Sequence, residues 1–235
     1  LVRVPGFVRE GTDEKLTSQG ASYAVALIHS VVVTYCGATH LVALSEAPIE
    51  AKIIIAADPS DPWHAPASAV SGTGVIFLSY LLYDILHMAL QYPALGGLDM
   101  ICHHLGFIAA TCISGPCGSL PFAFSWLILG EGSSIFLNFR WFLIHTGRGA
   151  STLLHAVNAA FAISFFVTRI VVYACGGLDL WVHRQTILST PGVCCTKPLL
   201  YCVLGMMCLA YGLNLMWMAR IARMARGGAQ KKKSS

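Results

Sequence analysis

The chain has 235 residues, 56% of them hydrophobic and only 11% charged, with a mean hydropathy of +0.67. Soluble domains carry about 25% charged residues, so a water-soluble globule is excluded and an all-α, multispanning membrane protein is expected. The net charge of +4 does not indicate nucleic acid, because Arg220, Arg223, Arg226, Lys231, Lys232 and Lys233 crowd into the last sixteen positions. A basic segment directly after a membrane helix is a positive-inside anchor, with room for anionic-lipid contact.

In chain order, residues 1–20 are polar and mixed in charge, an N-terminal extension. The chain opens on Leu1, which leaves two origins open: a removed targeting segment, or an N-terminus lying elsewhere. A first span is predicted from Ser22 to Leu44, carrying His29 and His40. A loop with Glu46, Glu50, Asp58 and Asp61 follows. A second span runs from Ala67 to Leu90 and a third from Leu98 to Ser114. Gly115-Pro116-Cys117-Gly118 turns the chain. The fourth span, Leu120 to Ile144, is interrupted near Glu131–Ser134, where Gly130-Glu131-Gly132-Ser133-Ser134 supplies helix breakers and two serines able to cap a new start. Irregular backbone at membrane depth survives only where protein or a cavity surrounds it, so the interruption points to a site. The fifth span covers Thr152 to Cys175, Gly176 to Lys197 forms a loop, and the sixth span runs from Pro198 to Met218. The membrane domain is thus residues 21–220, followed by a basic tail, 221–235. Six spans put both termini on one side, with the acidic first loop opposite.

Ionisable groups at bilayer depth cost about 2.5–3.5 kcal/mol each on insertion scales and therefore face the bundle interior and find partners. Asp84 and His87 lie three apart on one helical face with Tyr80, and either can pair with the other or with His103 or His104 across the bundle. Adjacent histidines project about 100° apart, so one of the two faces inward and the other meets a neighbouring helix or the headgroups. Arg169 calls for a carboxylate, a carbonyl or a lipid phosphate, with Glu131 or Asp84 as the natural protein partner. His155, Asn158, Ala162, Phe165 and Arg169 form one stripe at helical spacing, and Tyr211, Asn214 and Met218 another. Singly, each polar group reads as interhelical glue. Together, Asp84, His87, His103, His104, Glu131, Asn138, Arg140, Asn158, Arg169 and Asn214 predict a shared polar pocket that takes a lipid headgroup or acyl chain. A metal site would need a third ligand beside the two histidines, with Asp84, His87 and Glu131 as the candidates, and no metal is expected.

Nine cysteines sit mostly in apolar runs and read as small packed thiols. Cys117, Cys175, Cys194 and Cys195 fall near loops on one side, where a disulfide among them forms if that side is oxidising.

Four stretches together resemble the TLC-domain family, which includes the ceramide synthases and smaller multispanning proteins. They are Cys102-His103-His104-Leu105-Gly106-Phe107, the segment from Glu131 to Trp141, Asn158 with Phe165-Phe166 and Arg169, and Asn214-Leu215-Met216-Trp217-Met218. The resemblance covers about residues 20–225 and is nearer to the smaller proteins. Ceramide synthases share the double histidine and add a His-Asp pair with a second Asp. Here Gly130-Glu131 and Ser134 stand instead, so half of that constellation is missing. The resemblance therefore implies a non-catalytic lipid-handling protein without cofactor. Two alternatives stay open. One is an accessory subunit of a large membrane assembly, with other membrane proteins as partners. The other is an acyl-CoA-dependent N-acyltransferase using His103, His104 and Glu131 as base and orienting acid. Lys232 and Lys233, ahead of Ser234-Ser235, resemble a dilysine retrieval signal of the endoplasmic reticulum, and a presequence before Leu1 would indicate a mitochondrial or plastid membrane instead.

Overall fold

A computed structural model describes residues 13–224 except Ala94, Pro116 and Cys195, together with the backbone of the last helix as far as Lys233. The described residues form ten α-helices: α1 Glu14–Ser45, α2 Ile49–Ile53, α3 His64–Leu90, α4 Leu98–Ser114, α5 Pro121–Leu129, α6 Gly132–Leu143, α7 Thr152–Phe165, α8 Tyr173–Val182, α9 Arg184–Ser189 and α10 Lys197–Lys233. A π-helical segment, Phe166–Val172, joins α7 to α8, and Ile144–Arg148 carries α6 into a kink where Thr146 and Gly147 leave helical dihedrals.

Local chemistry sets several boundaries. The Asp13 carboxylate accepts the Lys15 N–H at 2.9 Å and caps α1, with Glu14 favourably placed in the positive first turn. Pro121 opens α5, where a missing N–H costs nothing. Ser151 caps α7 by accepting from Leu154 N–H at 3.2 Å, after Gly147 has turned the chain at φ +77°.

Five helical stretches are long and apolar enough to cross a membrane: Glu14–Ser45, His64–Leu90, Pro121–Arg148, Thr152–Val182 and Lys197–Met224. The sixth, Leu98–Ser114, has 17 residues, a few ångströms short of a ~30 Å hydrocarbon core. Contacts at the two ends of the bundle follow six alternating crossings. At one end Leu120 N–H donates to the Ile53 carbonyl (2.6 Å), Ile55 N–H to Gly118 (3.2 Å) and Cys194 N–H to the Ser119 hydroxyl (3.2 Å). At the other end Tyr23 stacks on Trp141 at 4.0 Å, His145 meets Asp13 at 2.5 Å, and Trp217 donates to Asp99 at 3.2 Å. Arg148, Arg220 and Arg223 belong to this second end, and the acidic first loop to the first.

The core lies between α1, α3, α4 and α5. Phe77 meets Phe107 and Phe124 edge-to-face at 5.6 and 6.0 Å, among fully buried Val33, Leu44, Val70 and Ile128. Hydrocarbon offers no hydrophobic drive between helices, so close packing and polar contacts hold them together.

The fourth span is interrupted as expected, and two expectations, the serine caps and the end of the fifth span, need correction. The interruption of the fourth span falls at Gly130–Glu131, and both residues keep right-handed helical dihedrals (φ −54°, ψ −26° and φ −69°, ψ −11°). There the bonds tighten to i→i+3, from Gly130 to Leu127 at 3.1 Å, Glu131 to Ile128 at 3.0 Å and Ser134 to Glu131 at 2.9 Å. It is a tight turn rather than an unwound stretch, and neither serine caps α6. The fifth span, in turn, does not stop at Cys175. Gly176 continues the helix, and the Trp126 ring occupies the space where a Cβ would stand. The glycine serves close approach of α8 to α5 rather than termination, and the expected loop becomes the end of α8 plus α9.

Candidate functional site: a polar cavity beside an apolar one

Arg169 is the hub. It sits at the centre of the Phe166–Val172 π-segment with 5% of its surface exposed; such π-turns inside α-helices recur at functional sites. Its Nε donates to the Gly130 carbonyl (3.1 Å) and the Ser133 hydroxyl (3.0 Å). One terminal nitrogen donates to Glu131 Oε1 at 2.9 Å and to the Ser134 hydroxyl at 3.3 Å, and the other makes a long 3.4 Å contact to His103 Nε2. The tight turn thus presents a carbonyl, a carboxylate and two hydroxyls to one guanidinium, whose fork of donors matches them. From behind, Asn214 Nδ2 donates to the Arg169 carbonyl at 3.3 Å, so α10 holds the π-segment.

A second buried pair lies across the cavity. His104 Nδ1 contacts the Met100 carbonyl at 2.9 Å and Nε2 contacts Asp84 Oδ2 at 2.8 Å. A carbonyl can only accept, so Nδ1 carries hydrogen and Nε2 shares a proton with the carboxylate. Arg169 has donors only, so His103 Nε2 must accept, which fixes its hydrogen on Nδ1. The His103 ring is wedged between Phe107 (4.6 Å) and Trp217 (5.3 Å).

These groups surround a cavity of about 170 Å³ whose lining includes Ser22, Tyr23, Ser30, Tyr80, Asp84, His103, His104, Glu131, Ser134, Asn138 and Arg169. Beside it lies an apolar cavity of about 470 Å³ between α4, α5, α8 and α10, lined by residues such as Ala110, Leu127, Val203, Met206 and Ala210. His103 and Phe107 line both. The larger volume falls within the ~300–1,000 Å³ of typical small-molecule sites.

Residues 21–223 match the family model described as TLC domain. The chain belongs to the TLC domain family. Curated proteins similar to it are TLC domain-containing protein 4-B of Danio rerio (28% identity over 69% of this chain and 61% of the relative) and TLC domain-containing protein 4 of Xenopus tropicalis (29% over 64% and 54%). TLC domain-containing protein 4-B of Xenopus laevis is 26% identical over 86% of this chain and 72% of that protein. The chain spans about three fifths of the length of the first two relatives. No solved structure matches it.

Within this TLC domain the geometry sorts the residues singled out from sequence. Asp84, His103, His104, Glu131, Asn138 and Arg169 come together around the polar cavity, with Asn214 buried behind Arg169. His87 does not join them: it bonds Ser22 at 2.7 Å and Gln91 at 2.9 Å. Arg140 and Asn158 pair with each other (Nε to Oδ1, 2.8 Å) on the outer face of α6 and α7. The expected α7 stripe therefore breaks, for α7 buries Leu154, Val157 and Phe165 and leaves His155 and Asn158 exposed. Among the described residues no three His, Cys, Asp or Glu side chains gather as a metal site.

Sequence reasoning missed the roles of Ser133 and Ser134 as acceptors for Arg169, and missed Ser22, Tyr23 and Ser30 as cavity lining. The spacing of Ser22, Ala26 and Ser30 on one face of α1 was a usable signal. The apolar cavity left no trace, since its lining residues are of the same types as those that face lipid.

Proposed function

We propose that this TLC domain holds a lipid without transforming it: one hydrocarbon chain lies in the apolar cavity, and a neutral, hydrogen-bonding head enters the polar one past His103. The carrying observation is that two cavities of opposite character share a wall at His103 and Phe107, the arrangement an amphiphile requires. Charge balance supports a neutral head. Arg169 is matched by Glu131 and His104 by Asp84, so a phosphate would enter with no unpaired cation to meet it, at a steep desolvation cost.

The same contacts favour binding over acyl transfer. A general base needs a free lone pair within reach of the proton it removes. His103 Nε2 faces a guanidinium, and His104 has both ring nitrogens engaged.

The test is lipid retention. The full chain, purified from membranes in mild detergent and extracted for mass spectrometry, should carry a single-chain-compatible amphiphile in near-stoichiometric amount. Ala110→Trp, which fills the apolar cavity, should lose it while the protein remains monodisperse. Equal lipid content in both proteins ends this reading, and so does N-acylation of a long-chain amine by purified protein supplied with acyl-CoA.

A further inference from the structure

The end of the bundle away from the termini carries a feature that lipid binding does not use. Cys117, in the turn between α4 and α5, and Cys194, in the linker from α9 to α10, are both exposed and both free. Their backbones are already joined, since Cys194 N–H donates to Ser119 Oγ at 3.2 Å and that hydroxyl donates in turn to the Cys117 carbonyl at 3.3 Å. The shared serine hydroxyl thus sets the two cysteines side by side at this end of the bundle. They sit 77 positions apart in the chain, and neither is packed away in the core as a structural thiol would be.

We propose that Cys117 and Cys194 form an oxidation-sensitive disulfide that staples the α4–α5 turn to the start of α10. This site lies over one end of the apolar cavity, whose walls at that end are Ser114 and Leu120 on one side and Val203 on the other. The link holds α10 against α4 and α5 and so sets the spacing of those walls. Chemically it is thiol–disulfide exchange with a small-molecule disulfide of the glutathione class. One cysteine thiolate attacks the glutathione disulfide, forming a mixed disulfide and releasing one glutathione. The second cysteine thiolate then displaces the other glutathione. Two protein thiols are oxidised and one glutathione disulfide is reduced to two thiols, with no other oxidant needed. The Cys117 thiol is held protonated by its hydrogen bond to Cys194, which raises its pKa above the ordinary thiol value, so exchange quickens as the pH rises into that range.

The pair stands independently of the lipid reading, and its test does not involve lipid. The purified full chain is equilibrated in mixtures of reduced and oxidised glutathione, quenched with N-ethylmaleimide, and digested without reduction. A single cross-linked peptide joining Cys117 to Cys194 is expected, absent in Cys194→Ser and retained in Cys195→Ser. The oxidised protein should also melt several degrees higher than the reduced one, a difference that Cys194→Ser abolishes. Alkylation of both thiols throughout, glutathione adducts alone, or a dominant link from Cys117 to Cys112 or Cys195 would each overturn the proposal.

Discussion

Arg169 and Glu131, on different spans and 38 positions apart, meet at 2.9 Å with their side chains 6% and 15% exposed. The contact ties the π-segment of the fifth span to the tight turn of the fourth. Removing one partner of a buried pair leaves a stranded charge and costs about 3–5 kcal/mol, whereas replacing both with apolar residues is often close to neutral. Arg169→Met and Glu131→Leu should each lower the melting temperature in detergent sharply, and the double substitution should be less harmful than either alone. Additive losses would mean that the two side chains do not depend on each other.

That pairing was legible in the sequence because a lone arginine at bilayer depth demands a carboxylate, and few were within reach. Five of the spans were legible for a similar reason, since their apolar runs match the thickness to be crossed, and Leu98–Ser114 was legible as a shorter apolar helix. What failed was phase and glycine. A helical-wheel argument assigned Asn158 and Arg169 to one inward stripe. The structure leaves Asn158 exposed beside Arg140, and the π-turn from Phe166 re-phases the helix around Arg169. Gly176-Gly177 looks like a stop signal, yet what a glycine does depends on the neighbour, here Trp126, and a single chain does not name its neighbour. Chains like this hide their cavities for the same reason, since Ala110 and Ala210 read alike whether they face lipid or a hollow.

The Trp126–Gly176 contact yields a sharp contrast between adjacent glycines. A Cβ at position 176 would collide with the indole ring, which is itself buried, whereas at Gly177 the nearest atom, Met207 Cε, is 3.9 Å away. Overpacking a tight interface costs about 1–3 kcal/mol, while alanine relieves the helical cost of glycine. Gly176→Ala should therefore lower the melting temperature, and Gly177→Ala should leave it unchanged or raise it. Similar behaviour of the two variants would place Trp126 elsewhere.

Arg140 and Asn158 offer a control on the boundaries of the site. Their 2.8 Å hydrogen bond lies on the outer surface of α6 and α7, where a long arginine reaches the headgroup region regardless of its partner. Asn158→Ala should cost at most about 1 kcal/mol, the range for exposed polar pairs, and should leave lipid retention intact. Asn138→Leu, which changes a buried residue of the polar cavity, should reduce retention. If Asn158→Ala strips lipid as thoroughly as Asn138→Leu, the lipid site extends to the outer face of α6 and α7.

Asp13 caps α1 outside the membrane-spanning segments, and its carboxylate pKa lies below the ordinary 3.8, first because His145 hydrogen-bonds to it and next because the Lys15 N–H does. A carboxylate whose pKa is depressed on folding contributes its stabilisation above the unfolded value and loses it as the pH falls through the folded one. The clasp between the start of α1 and the end of the fourth span is therefore intact at neutral pH and opens only below the usual carboxylate range. Following the side-chain carboxyl shift of isotope-labelled aspartate by NMR should give a midpoint under 3.8 for Asp13. In His145→Ala the midpoint should climb toward that value and stop short of it, because the Lys15 N–H stays at 2.9 Å. A midpoint that does not move in His145→Ala would show that the imidazole does not engage Asp13 in solution, and α1 would then be held at this end by the Tyr23–Trp141 stack.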